Sequence, residues 1–107
     1  MNSSIESVTI PARVIVIGTE AFCDCKNLKN IKFVPGSRLK IIGRSFSGSG
    51  LEEITIPNNV VTIYRDAFRD CEDLRKFSFE NRSKLENLGR RCFANSGLRE
   101  IALPKAL

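Results

Sequence analysis

VTIPARVIVIGTEAFCDCKNL, residues Val8 to Leu28, returns two copies later as ITIPNNVVTIYRDAFRDCEDL, residues Ile54 to Leu74. Apolar residues, the proline, the Ala-Phe pair, the cysteine and the closing leucine keep their places. Between and after these stretches stand two looser versions of the same phrase. One runs Leu28, Ile31, Phe33, Leu39, Ile42-Gly43, Phe46; the other runs Leu74, Phe77, Phe79, Leu85, Leu88-Gly89, Cys92-Phe93. Copies therefore open at Ile5, Leu28, Leu51 and Leu74, and a fifth opens at Leu98, at intervals of 23 or 24 residues. A period in this range marks a solenoid, in which each unit buries its apolar face only against its neighbours.

The true unit is a pair. Odd copies turn tightly at Ile10-Pro11 and Ile56-Pro57. Even copies carry a longer loop, Val34-Pro35-Gly36-Ser37 or Glu80-Asn81-Arg82-Ser83, and end in Ser49-Gly50 or Ser96-Gly97. Within each copy the apolar–x–apolar triplet (Val8-Thr9-Ile10, Ile54-Thr55-Ile56) has period two and reads as a short strand with one buried face. Pro11, Pro57 and Pro104 follow such triplets, where a residue without an N–H ends the pairing. The pairs Val14/Ile17 and Val60/Ile63 predict a second extended segment on the opposite wall. Gly18, Gly43 and Gly89 are read as tight-turn positions. The spacing of Ala21, Phe22 and Cys25, and of Ala67, Phe68 and Cys71, predicts one helical turn closing each coil, too short to stand without tertiary packing. Leu28, Leu51, Leu74 and Leu98 are expected to form one buried column, and Phe22, Phe46, Phe68 and Phe93 another.

The fold expected is an α/β repeat solenoid. A short-stranded parallel sheet covers one face, and one-turn helices or loops cover the other. One domain spans residues 1–107, with repeats at 5–27, 28–50, 51–73 and 74–97 and a partial one at 98–107. The chain reaches repeat phase within four residues and stops inside a copy, so it reads as a piece of a longer array. Its bare edge strands are expected to favour self-association.

Composition narrows the function. No apolar run is long enough to span a membrane, and Met1-Asn2-Ser3-Ser4 carries neither the basic nor the apolar part of a signal peptide. The four cysteines are expected as thiols, because Cys25 and Cys71 sit two coils apart, about 9–10 Å at the strand spacing, beyond ordinary disulfide reach. Cys23-Asp24-Cys25 has no second clip and the chain has no histidine, so no metal site is expected. Neither a Gly-rich phosphate loop nor a nucleophile elbow is present. The chain is read as non-catalytic and without a cofactor. Asn2-Ser3-Ser4 and Asn81-Arg82-Ser83 fit the glycosylation acceptor pattern.

Two surfaces are candidates for binding. The strand phrase turns Glu6, Lys29, Lys32, Glu52, Glu53, Arg75, Lys76, Arg99 and Glu100 outward, and their sign alternates from coil to coil as Glu6–Lys29–Glu52–Arg75 and Glu53–Lys76–Glu100. Opposite charges facing each other across strands stabilise a sheet, and an extended polar face also suits docking. The second surface is a basic edge, Arg44, Arg65, Arg69, Arg90 and Arg91, flanked by Arg38, Lys40, Arg82 and Lys84. With 17 basic and 12 acidic residues the chain carries +5, which makes sulfated glycans or acidic protein surfaces candidates for this edge. Nucleic acid is not expected, since stacking platforms need several exposed aromatics and the phenylalanines are read as core.

The phrase Val8-x-Ile10-Pro11-x-x-Val14-x-x-Ile17-Gly18-x-x-Ala21-Phe22-x-x-Cys25-x-x-Leu28 resembles the BspA-like class of leucine-rich repeats, over nearly the whole chain from Ile5 to Leu107. Departures are Tyr64 where glycine is usual, Cys92 where alanine is usual, and one residue missing before Phe46. The resemblance implies a right-handed superhelix, a cell-surface or extracellular setting, adhesion to host or neighbouring-cell proteins, and no catalytic residues. A protein-interaction module is the leading expectation. A structural spacer and a polyanion binder are the alternatives.

Overall fold

β-Branched residues at alternate positions keep the triplet segments extended and turn one side of each inward. In the computed structural model, which describes residues 5–104, each of the four full copies makes one coil with two strands. The longer strands are β1 (Ser7–Ile10), β3 (Asn30–Phe33), β5 (Glu53–Ile56) and β7 (Lys76–Phe79). Two-residue strands lie half a coil later: β2 (Val16–Ile17), β4 (Ile41–Ile42), β6 (Thr62–Ile63) and β8 (Asn87–Leu88). They stack into two parallel sheets, β1-β3-β5-β7 and β2-β4-β6-β8.

The core fills the space between the sheets. Ile17, Ile42 and Ile63 are buried under the second sheet, and Leu28, Leu51 and Leu74 form a buried column where each coil returns to the first. The phenylalanine column is present. Phe22 and Phe46, Phe46 and Phe68, and Phe68 and Phe93 stack with ring centroids 5.3, 5.3 and 5.9 Å apart. Phe77 presents its edge to Phe68 and Phe93 at 5.1 and 4.7 Å. Offset and edge-on rings of this kind add about 0.5–1.5 kcal/mol per pair beyond their burial.

The helical turns expected over Thr19–Cys25 and Arg65–Cys71 are not formed, and the described residues contain no helix, so the α/β class gives way to a β-solenoid. Backbone geometry explains the correction. Glu20, Asp24, Asp66, Asp70, Arg91 and Asn95 all have positive φ, between 57° and 67°. A left-handed residue every fourth position cannot continue a right-handed helix. What forms is a chain of turns whose N–H groups alternate in their use. Ala21, Cys23 and Cys25 donate three residues back, to Gly18, Glu20 and Phe22. Glu20, Phe22 and Asp24 donate instead to Arg44, Ser45 and Ser47 of the next coil, at 2.8–2.9 Å. The pattern recurs from Phe46 and Gly48 to Ala67 and Arg69, and from Asp66, Phe68 and Asp70 to Arg90, Cys92 and Ala94. The turns thus make a third hydrogen-bonded wall.

Gly89, a tight-turn position by its sequence, serves instead for close approach: a Cβ there would run into the backbone of Arg65 on the previous coil. The glycines that need a left-handed backbone are Gly36 and Gly48, with φ of 82° and 73°.

Candidate functional site

The first sheet presents a polar outer face because the outward position of each strand is never apolar. Register brings Ser7 beside Asn30, Asn30 beside Glu53 and Glu53 beside Lys76. Thr9 lies beside Lys32 and Thr55 beside Ser78, and the Thr55 and Ser78 hydroxyls are 3.0 Å apart. On the adjoining return segment Glu52 takes Lys29 on one side, at 3.9 Å, and Arg75 on the other, at 3.4 Å. The alternating ladder is therefore present at Lys29–Glu52–Arg75. Glu6 joins it through its backbone, accepting from the Lys29 N–H at 2.8 Å. Arg99 and Glu100 are exposed beyond β7, next to Arg75 and Gly97.

This face is not continuous. β1 and β3 pair over four residues, and so do β5 and β7, but β3 and β5 pair only at Asn30 and Glu53. The break falls where a copy with the wide loop meets one with the tight proline turn, so the strand ends arrive on different paths. It opens a shallow depression of about 360 Å³ lined by Asn30, Lys32, Phe33, Glu53, Thr55 and Glu80. The same wide-to-tight junction recurs after β7. There Ile101–Pro104 form no strand, and a second depression of about 510 Å³ opens between Phe79, Arg82 and Leu103.

The five arginines of the expected basic edge fall into two sets. Arg69 and Arg91 are committed to Asp66, a buried carboxylate in the turn wall. Its Oδ1, which has no hydrogen-bond partner among the described residues, lies 3.5 Å from Arg91 Nε and 3.9 Å from Arg69 Nη1. Arg69 also meets Asp70 at 3.9 Å. Arg44, Arg65 and Arg90 are exposed and make no ion pair with any described residue. They occupy one column. The N–H groups of Gly43, Tyr64 and Gly89 donate to Ile17, Ile42 and Ile63 of the preceding coil, which sets Gly18, Gly43, Tyr64 and Gly89 side by side and the three arginines one residue further on. Tyr64, half exposed, is the only ring in a column of glycines. Beside it a groove of about 770 Å³ is lined by Thr62, Tyr64, Arg65, Glu86, Asn87 and Leu88, and the Asn87 amide donates to the Thr62 hydroxyl at 3.3 Å. The residue reading marked Tyr64 as a departure from the repeat but gave it no role; its substitution for glycine was the available signal.

Cys25, Cys71 and Cys92 are buried and Cys23 is partly exposed. No disulfide joins them. Cys71 donates to the Phe46 carbonyl at 2.9 Å, Cys92 to the Tyr64 carbonyl at 3.2 Å and Cys23 to the Arg44 carbonyl at 3.4 Å. Burial pushes the Cys92 thiol up to about 11 and raises those of Cys71 and Cys23 above their usual range. Among the described residues no three His, Cys, Asp or Glu side chains converge as metal ligands, and no helix is long and apolar enough to cross a membrane. Of the two acceptor patterns, Asn81-Arg82-Ser83 lies in the exposed wide turn, and Asn2-Ser3-Ser4 lies outside the described residues.

The whole chain, residues 1–107, matches a family model described as BspA type leucine rich repeat region, of six copies. Among solved structures the chain is similar to the crystal structure of the pneumococcal vaccine antigen PcpA. The two are 26% identical with a TM-score of 0.80, and the match covers 94% of this chain and 31% of that one. This chain thus spans about a third of the length of that one. No curated protein matches it.

Proposed function

The chain belongs to the BspA type of leucine-rich repeat proteins, and from that premise we propose a non-catalytic protein-interaction module that docks a partner on the outer face of its first sheet. Repeats of this class are generally protein-interaction modules. The observation that carries the reading is the break between β3 and β5. It opens a concave place in an otherwise regular polar face, lined by apolar Ile31, Phe33 and Ile54 and by polar Lys32, Glu53 and Thr55. A recessed apolar patch with a polar rim is the usual anatomy of a protein-binding spot. Display at a cell surface, and adhesion to host or neighbouring-cell proteins, are part of the same proposal. They are supported by the family and by the likeness to a vaccine antigen.

The test is surface plasmon resonance of the folded chain against a panel of extracellular-matrix and cell-surface proteins. Lys32→Glu serves as the face variant, since Lys32 is exposed and lies among polar neighbours. Saturable binding that Lys32→Glu weakens at an unchanged melting temperature supports the docking face. No saturable binding to any member of the panel favours the spacer, whose coils only set distance.

A further inference from the structure

The second sheet offers a different chemistry. We propose that Arg44, Arg65, Arg90 and Tyr64 form a separate binding site for sulfated or otherwise acidic glycan chains, on the wall away from the docking face. Three observations point there. First, Arg44, Arg65 and Arg90 stand on consecutive coils with their backbones about 4.8 Å apart at the strand spacing, and no carboxylate among the described residues pairs with them. Their neighbours Arg69 and Arg91 are paired with Asp66, so the arginines of this edge that lack a carboxylate partner among the described residues form one line across the coils. A guanidinium presents several donors in a fixed plane and suits the flat or tetrahedral oxyanions of carboxylates and sulfates.

Second, Tyr64 stands immediately beside this line with Gly43 and Gly89 on either side, so its ring has open space along the column. An exposed ring with a polar tip suits a pyranose, which has one apolar face and hydroxyls at its rim. Third, the groove next to Tyr64 carries Thr62, Asn87 and Glu86, neutral and acidic hydrogen-bonding groups fit for hydroxyls. Glu86 repels an anion on that side, which fixes the orientation: sulfates or carboxylates on the arginines, sugar hydroxyls over Asn87 and Thr62. Single-stranded nucleic acid is the poorer fit, because successive bases need successive aromatic platforms and this column has one. An acidic peptide has no sugar face to offer the ring.

The experiment measures binding of the full 107-residue chain to a size-defined heparin octasaccharide by titration calorimetry, with the desulfated octasaccharide, polyglutamate and a short single-stranded RNA in parallel. The wild-type chain is expected to bind the sulfated sugar saturably, with affinity that falls as salt rises, and to bind the other three more weakly. The triple variant Arg44→Ala/Arg65→Ala/Arg90→Ala should lose about tenfold or more in affinity. Arg13→Ala/Arg38→Ala/Lys84→Ala removes the same charge from the loop edge and should stay within about twofold, since only the distant field changes. Tyr64→Gly restores the residue its column otherwise holds and should weaken binding several-fold while the circular dichroism spectrum stays native. Equal losses in both triple variants would mean diffuse charge attraction and overturn the site. So would no binding of the sulfated sugar, or binding of polyglutamate or RNA as tight as that of the sugar. An inert Tyr64→Gly overturns the stacking role of the ring.

Discussion

Ser49 and Ser96 occupy the column that holds Cys25 and Cys71 in the odd copies, and each closes the chain on itself. The hydroxyl of Ser49 accepts from the Leu51 N–H at 3.4 Å, and that of Ser96 from the Leu98 N–H at 3.3 Å. Ser37 and Ser83 do the same for Leu39 and Leu85. Ser-x-Leu therefore occurs four times with one job, fixing the backbone just before a core leucine enters. The sequence shows two of these serines as the Ser-Gly ends of the even copies, but the shared role of all four rests on hydrogen bonds that spacing does not reveal. The apolar columns were legible, since position alone assigns Leu28 or Phe46 to the interior. The thiols carry a prediction at this scale. Burial raises the pKa of Cys23, Cys71 and Cys92, so the folded chain holds a proton on Cys92 that the unfolded chain gives up from 9.0 upward. Stability from this source is present below pH 9 and is lost as pH rises through about 11. Chemical denaturation at pH 8, 9, 10 and 11 should give a falling midpoint, and Cys92→Ser should flatten the fall. Mass spectrometry after brief alkylation of the native protein at pH 8 should find Cys23, the half-exposed thiol, labelled before Cys71 and Cys92.

Among the elements, the turn wall is where the residue reading failed. The spacing of Ala, Phe and Cys is shared by one helical turn and by a chain of turns, and apolar positions alone do not separate them. The separating signal lay in the polar residues. Asp24, Gly48, Asp70 and Asn95 share one column, and all four have positive φ; aspartate, asparagine and glycine are the residues that tolerate it. Asn95 also donates to the Asp70 carboxylate at 2.9 Å along the column. Gly48→Ala should be costly, because the backbone is left-handed and a Cβ would collide with the Asp24 carboxylate. We expect a loss of about 1–2 kcal/mol, read as a lower denaturation midpoint, against near-neutrality for the exposed Gly18→Ala. The charged ladder was legible as alternating sign and is weaker. Glu52→Lys exchanges two attractions, with Lys29 and Arg75, for two repulsions. It should lower stability by about 0.5–1.5 kcal/mol at low salt and by less at 0.5 M salt.

For the whole molecule, stability follows the stacking. Each coil touches only its neighbours, and the inner coils carry the phenylalanines that are fully buried, Phe46 and Phe68, while Phe22 and Phe93 keep some exposure. Hydrogen exchange should therefore be slowest in residues 28–73 and faster in the coils on either side; uniform protection from Ile5 to Pro104 would contradict this. The two-copy period was legible in the loops. Its effect on the sheet, a break at each wide-to-tight junction, was not, because register depends on where both strands end. The alternating use of N–H groups in the turns has a consequence at the same scale. Eight bonds that cross between the turn segments, from Glu20 to Arg44 through Asp70 to Ala94, run from a donor on the earlier coil to an acceptor on the later one, against two at the ends of the turns, Gly50 to Cys25 and Gly97 to Cys71, that run the other way. In a parallel sheet such bonds alternate in direction and their fields largely cancel. Here the peptide dipoles add, as they do in an α-helix but along the axis of stacking. The wall is electrically polar, positive toward its later coils and negative toward its first, and every coil added to the stack lengthens that field instead of averaging it away.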